Sequence, residues 1–230
     1  MNHIPPLYDR NVACMVCHKN YTTKKIRSRF IKAVKYDTDF FTHYENDDLN
    51  PTFYHVNVCP HCGFSATEDF SPYFAPNSLD HIKEKVCSQW NAQNYGEKRS
   101  IEQAINSHKL AIYCASLKKE KHITIAGLLL RLAWLYRIKE QTKKEHHFLA
   151  YARQEYIESY SQDDFRGTQM GTVRILYIIG ELSRRIGDEK QSALYFSKII
   201  QKHSRDGDQK IVEMARERWY EIREQQKTAM

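Results

Sequence analysis

Two matched cysteine pairs, Cys14-Met-Val-Cys17 and Cys59-Pro-His-Cys62-Gly63, constrain this chain more than any other feature. A Cys-x-x-Cys turn presents both thiolates toward one point while backbone N–H groups support them. Two such turns supply four soft ligands, Cys14, Cys17, Cys59 and Cys62, to one tetrahedral ion. Gly63 lets the backbone turn beneath the metal. The 41 residues between the pairs exceed the roughly 15–20 of an ordinary zinc ribbon. They hold two stretches of alternating hydrophobicity, so the spacing predicts a ribbon with an enlarged middle. Zinc is the default ion for four thiolates.

Three other chemistries use the same letters. Cys14-x-x-Cys17-His18 matches a c-type haem attachment site, which needs export and a distal axial ligand. The first thirteen residues contain two prolines, Asp9 and Arg10 and no apolar core, so no secretory leader is expected. The expected setting is cytoplasmic and reducing, where structural disulfides are rare. Cys59-Pro-His-Cys62 matches a dithiol redox centre, which sits between a strand and a helix in an alternating α/β pattern absent here. Both knuckles resemble those of rubredoxin, which keeps iron and electron transfer as an alternative to zinc. His18 and His61 are not needed as ligands and are expected to temper the site's charge or face solvent. Cys87 and Cys114 lie in helical patterns beside apolar residues and are expected to pack in a core.

Along the chain, Arg27 to Tyr36 and Phe53 to Val58 alternate and predict two short strands, with a turn at 47–51 between them. Ser71 to Asn77 is a proline-bracketed connector, and beyond it the period becomes helical. Helices are expected at 78–94, 101–118, 123–139, 143–160, 170–186, 189–203 and 208–226. Asn77 or Ser78 is the expected cap of the first helix. Capping boxes are expected at Ser100/Gln103, Thr142/Glu145, Asp188/Gln191 and Asp206/Gln209. The fold class is α+β, in three parts: a zinc-ribbon-like metal-binding module at 1–70, a connector and first helix at 71–99, and a tetratricopeptide-like helical array at 100–230. Short joints at 187–188 and 205–208 predict antiparallel neighbours. Leu176 to Asp188 followed by Ala193 to Phe196 looks like one tetratricopeptide unit, with Gly180 at the close helix approach and Phe196 filling the groove. The echo at Ala133 is offset by 47 residues rather than the usual 34, so the array is irregular.

The net charge of +7 lies wholly in the C-terminal part. Residues 1–95 carry ten basic and ten acidic side chains, and residues 96–230 carry 25 and 18. Within the neutral part, residues 19–35 hold seven cations and no acid. Tyr21, Phe30 and Tyr36 are interleaved with them, a pattern that suits single-stranded nucleic acid. A solvated face offset by Asp37, Asp39, Glu45, Asp47 and Asp48 is the simpler account. The strongest apolar stretch, Ile123 to Tyr136, is too short and too polar to span a membrane. Trp90, Trp134 and Trp219 read as helix core or groove anchors. No phosphate loop, nucleophile elbow or carboxylate pair is present, so no enzymatic activity is expected.

One segment carries a resemblance. Cys14-x-x-Cys17 with Tyr21, Asp37-x-Asp39-Phe40, and Asn50-Pro51-x-x-Tyr54-x-Val56-x-Val58-Cys59-Pro60-x-Cys62-Gly63-Phe64, followed by Asp69-Phe70, together resemble the bacterial family of uncharacterised proteins DUF2225. The resemblance implies a cytoplasmic protein with a zinc-ribbon-like N-terminal part and tetratricopeptide-like helices, and it carries no activity. The expected function is a non-enzymatic adaptor that engages a protein or peptide through its helices. A nucleic-acid-binding ribbon and a rubredoxin-like redox protein are the alternatives.

Overall fold

A computed structural model describes residues 4–203 and 208–228. The chain divides into two compact units. One gathers residues 1–37, 42–120 and 134–141, and the other gathers 38–41, 121–133 and the chain from 142 onward. The α+β class holds, with small antiparallel strand pairs preceding the helices.

In the first unit, β1 (Leu7–Ala13) pairs with β2 (Asn20–Ile26) in unbroken antiparallel register from Leu7↔Ile26 to Ala13↔Asn20. Asp9 faces Lys24 across the ladder and joins it at 2.6 Å, a favourable cross-strand pair. β3 (Ala33–Tyr36) pairs with β4 (Thr42–Tyr44). β5 (Asn57–Val58) pairs with β6 (Ser65–Ala66). Each sheet has two strands.

The strands expected from alternation are shorter than predicted. In 27–36, Ser28–Phe30 forms a 3-10 turn and only Ala33–Tyr36 is extended. All four β3 residues are exposed, so no buried face fixes a longer pairing. In 53–58, Asn50 Oδ1 accepts from Thr52 N at 2.9 Å, and Pro51 starts a 3-10 turn through Tyr54. That leaves Asn57–Val58 as the strand. Meanwhile β1 and β2 escape sequence reading because Asn11, Asn20, Thr22 and their charged neighbours give no apolar alternation.

The helices of this unit are α1 (Ser78–Lys85) and α2 (Ile101–Lys118). α1 stops nine residues short of its expected end, and a 3-10 turn at Cys87–Gln89 replaces its last turns. Asn77 sits at φ +63° and gives no capping bond. α2 begins with the full capping box: Ser100 Oγ accepts from Gln103 N at 3.3 Å, and Gln103 Oε1 accepts from Ser100 N at 3.0 Å. Its buried residues include the small Ala104, Ser107, Ala111, Cys114 and Ala115 beside Ile105, His108 and Lys118, and β5 and β6 pack against the helix. The proline-bracketed connector is pinned by the buried Lys118, whose Nζ donates at 2.6 Å to Ser71 O, Tyr73 O and Glu120 Oε1.

α3 (His122–Ile138) contributes residues to both units. The second unit is built mainly from α4 (Thr142–Gln162), α5 (Thr172–Arg185), α6 (Glu189–Lys202) and α7 (Gln209–Thr228). These bounds lie within two residues of the sequence expectation. Val173 and Ile175 to Ser183 are all buried, because α5 packs against α4, α6 and α7. With neighbours on three sides, α5 is the central helix of this group, although Arg174, Glu181, Ser183, Arg184 and Arg185 keep its sequence amphipathic. Gly187, at φ +85°, makes the turn into α6, and Asp188 Oδ1 accepts from Gln191 N at 3.2 Å. The box proposed at Asp206 lies outside the described residues; Asp208 Oδ1 accepts from Lys210 N at 3.1 Å. Among the described residues no helix is long and apolar enough to cross a membrane.

Gly180 does what its place in the pattern suggested. A Cβ there would lie 2.8 Å from Phe196 Cε1, and Phe196 is fully buried among Tyr177, Ile199 and Val212. Gly180→Ala should therefore cost about 1–3 kcal/mol of stability through overpacking. In urea melts Phe196→Leu should recover part of that loss when combined with it, since the two positions share one contact.

Candidate metal centre

The two cysteine pairs occupy the tips of two hairpins. Residues 14–19 join β1 to β2, and residues 59–64 join β5 to β6. The tips are closed alike. Cys14 N donates to Lys19 O at 3.0 Å and His18 N to Cys14 O at 3.0 Å. In the other tip, Cys59 N donates to Phe64 O at 3.0 Å and Gly63 N to Cys59 O at 2.9 Å. The residue after each pair is left-handed, His18 at φ +60° and Gly63 at φ +74°. Val16 N points at Cys14 Sγ at 3.4 Å. The same turn is thus built twice, once with the glycine that its backbone favours and once without.

The tips meet sulfur to sulfur. Cys14 Sγ lies 3.6 Å from Cys62 Sγ, and Cys17 Sγ lies 3.6 Å from Cys59 Sγ. All four sulfurs fall within 4.8 Å of one another. A disulfide requires about 2.0 Å, and all four cysteines are free thiols. A tetrahedron of metal–sulfur bonds near 2.3 Å has sulfur–sulfur edges of about 3.8 Å, which these spacings bracket. The four residues thus fit one tetrahedral ion. Cys14, Cys59 and Cys62 are buried and Cys17 is half-buried.

The surroundings favour the neutral thiols of Cys14 and Cys59 until a metal takes their protons. The Cys62 hydrogen bond and then burial push the Cys14 thiol above its ordinary range. Burial pushes Cys59 up to about 11. Burial, with Cys14 and Cys59 next, also raises the Tyr21 hydroxyl. A metal must displace protons from such thiols, so its apparent affinity falls as pH falls. Within the cluster a bound divalent ion would offset two of the four thiolate charges and orient the sulfurs; it would find its four positions filled by protein.

His18 and His61 are exposed beside the cluster, in keeping with the solvent-facing role expected of them. Cys114 is fully buried and accepts from Ser65 N at 3.4 Å, under the second tip. Cys87 departs from its expected helical core: it is half-buried in the 3-10 turn after α1. Trp90 is likewise off-helix. Its ring covers Gly63, and its Nε1 donates to Pro60 O at 2.9 Å. Only the pairing of a glycine with a tip could have hinted at such a lid.

Sequence reading also missed Arg99. Its guanidinium is buried, 3% exposed. It donates to Tyr95 O at 2.8 Å, Phe53 O at 3.1 Å, Val56 O at 2.7 Å and Thr23 Oγ1 at 3.3 Å. It therefore ties β2 to the backbone leading into the second tip. No carboxylate among the described residues pairs with it, and burial lowers its pKa to about 10. Tyr54, whose hydroxyl accepts from Arg99 N at 3.4 Å, and Tyr95 place their rings near the charge. The motif Asn50-Pro51-x-x-Tyr54 thus sets the turn that Arg99 grips.

Fold and site together define an α+β protein with a four-thiol cluster, placed to hold one metal ion, at the meeting of two hairpin tips. Residues 7–222 match the family described as "Uncharacterized protein conserved in bacteria (DUF2225)", and the chain belongs to that family. No curated protein and no solved structure matches it.

The two tips make a paired test. At Gly63 a Cβ would meet a strained φ and lie 2.4 Å from the Trp90 ring. Gly63→Ala should cost about 2–5 kcal/mol, the sum of left-handed strain and overpacking. His18→Gly, at the matching position without a lid, should change stability by no more than about 1 kcal/mol. Thermal or urea unfolding of the two metal-loaded variants checks the contrast.

Proposed function

We propose that the cysteine centre is a structural zinc clasp and that the protein is a non-enzymatic, cytoplasmic adaptor whose helices engage a protein partner. One observation carries the reading: all four positions of a tetrahedral ion are supplied by thiols, three of them buried, which leaves no coordination position for a substrate. A catalytic zinc keeps such a position open. The chemistry of the donor set supports zinc first and iron second.

The paired charges weigh against the nucleic-acid reading. Within the basic run, Lys24 pairs with Asp9 at 2.6 Å, Lys32 with Glu45 at 2.8 Å and Lys25 with Glu68 at 3.4 Å. Arg27 lies over the Tyr8 ring and Arg29 over the Phe30 ring. Cations committed to local acids and rings release fewer counterions on meeting phosphate. The helical part supports a partner surface instead: α5 packs against both α6 and α7, the neighbour pattern of a stacked array, and Tyr151, Leu194 and Tyr220 stand exposed on α4, α6 and α7.

In-cell cross-linking of the wild type and of Cys62→Ser tests the reading. The expected result is a specific protein cross-linked to residues 142–228, recovered with the wild type and reduced with the variant. Cross-links confined to nucleic acid at residues 19–35 would overturn it.

A further inference from the structure

Arg99 has its hydrogen bonds met and its charge unmet. Among the described residues of the first unit, the buried lysine, arginine and carboxylate side chains are Arg99, Lys118 and Glu120. Lys118 and Glu120 pair with each other at 2.6 Å. Arg99 donates to the carbonyls of Tyr95, Phe53 and Val56 and to Thr23 Oγ1, all of them neutral acceptors. A neutral amide would serve such acceptors without the penalty of desolvating an ion. A buried charge is tolerable where an opposite charge shares its surroundings.

The opposite charge at hand is the loaded cysteine centre. Four thiolates around one divalent ion leave two negative charges. Arg99 grips both hairpins that bring those sulfurs together. Thr23, 3.3 Å from its Nη2, stands three residues along β2 from Asn20, beside the Lys19 carbonyl that closes the first tip. Val56, whose carbonyl lies 2.7 Å from its Nη1, stands three residues before Cys59. Three residues of strand span about 10 Å, which puts the guanidinium on the order of 10–15 Å from the sulfurs. Thr23, Val56, Val58 and Cys59 are all buried, so little water screens the field between them. Burial first, then Cys14 and Cys59, raise the Tyr21 hydroxyl while Arg99 lowers it, so one side chain of β2 stands within the field of both.

We propose that Arg99 is the countercharge of the metal–thiolate centre, a positioning residue that sets how tightly the four cysteines hold a divalent ion and, with iron in the site, how strongly they favour the ferrous state. The proposal rests on the clasp reading and names the residue that governs the clasp. At an effective dielectric constant near 20, a unit charge about 12 Å away shifts an ionic equilibrium about tenfold. A ferrous centre carries one more negative charge than a ferric one, so Arg99 favours it and raises the reduction potential.

The test uses the full chain. Arg99→Gln removes the charge and keeps an N–H donor pair, whereas Arg99→Lys keeps the charge and gives up the planar fork. Competition with a chromophoric chelator reads zinc affinity, and voltammetry of the iron-loaded chain reads the potential. Arg99→Gln should hold zinc about tenfold or more weakly. It should also move the iron about tenfold toward the ferric state, or about 59 mV for one electron. Arg99→Lys should stay close to wild type in both. Thr23→Asp, which sets a carboxylate beside the intact guanidinium, should reproduce the shift of Arg99→Gln, and it decides the matter if that variant does not fold. A potential unchanged in Arg99→Gln and Thr23→Asp overturns the proposal. So does an Arg99→Lys chain that falls with Arg99→Gln, because hydrogen bonding alone then accounts for the loss. A wild type that binds no zinc removes the clasp and this role together; one that binds zinc no more tightly than Arg99→Gln removes this role alone.

Discussion

Four sulfurs brought within 4.8 Å of one another are the constraint on which the first unit depends. Its three sheets are two-stranded, and β5–β6 has two residues per strand. Hairpins of that size are marginal in water by themselves. A structural zinc contributes an apparent 10–16 kcal/mol, on the order of the stability of a whole domain. Zinc held by these four thiols would act where the two tips meet. Arg99 ties the same two hairpins from the other side, through Thr23 and through the carbonyls of Phe53 and Val56. Trp90 closes over Gly63. The cluster, the arginine and the tryptophan act on one short stretch of backbone.

The parts of this arrangement differ in how clearly they are written in the chain. The thiol set is legible because Cys-x-x-Cys has one dominant physical use in a reducing setting; α2 and α6 are legible because caps and helical periodicity agree, and α4, α5 and α7 through periodicity and length. β1 and β2 are not legible: their ladder is held by Asp9–Lys24 and by the closure of the tip, neither of which leaves an apolar alternation. Residues 27–36 fail in the opposite way, alternating without any surface to bury. α1 is cut short at Lys85 because the residues beyond it serve the second tip instead. Arg99 is invisible from sequence, since its partners are carbonyls and rings drawn from Thr23 to Tyr95.

The second unit rests on a different interaction. α5 is buried along nearly its whole length, so its polar residues must be paired with groups that come to it. Ser183 donates to Ile179 O at 2.8 Å, and Glu181 gathers Thr38, Arg184 and Arg185. The Asp37-x-Asp39-Phe40 motif acquires a physical reason here. Its second acid and its aromatic meet α5, while Asp37 accepts from Arg137 at 3.1 Å within the first unit.

Metal content measured on the purified, reduced chain tests the central claim most directly. By native mass spectrometry with cobalt substitution, the account predicts one ion per chain, a tetrahedral cobalt–thiolate spectrum, and loss of both in Cys62→Ser. A chain that carries no metal, holds all four thiols reduced and keeps full amide protection in residues 7–66 would contradict it.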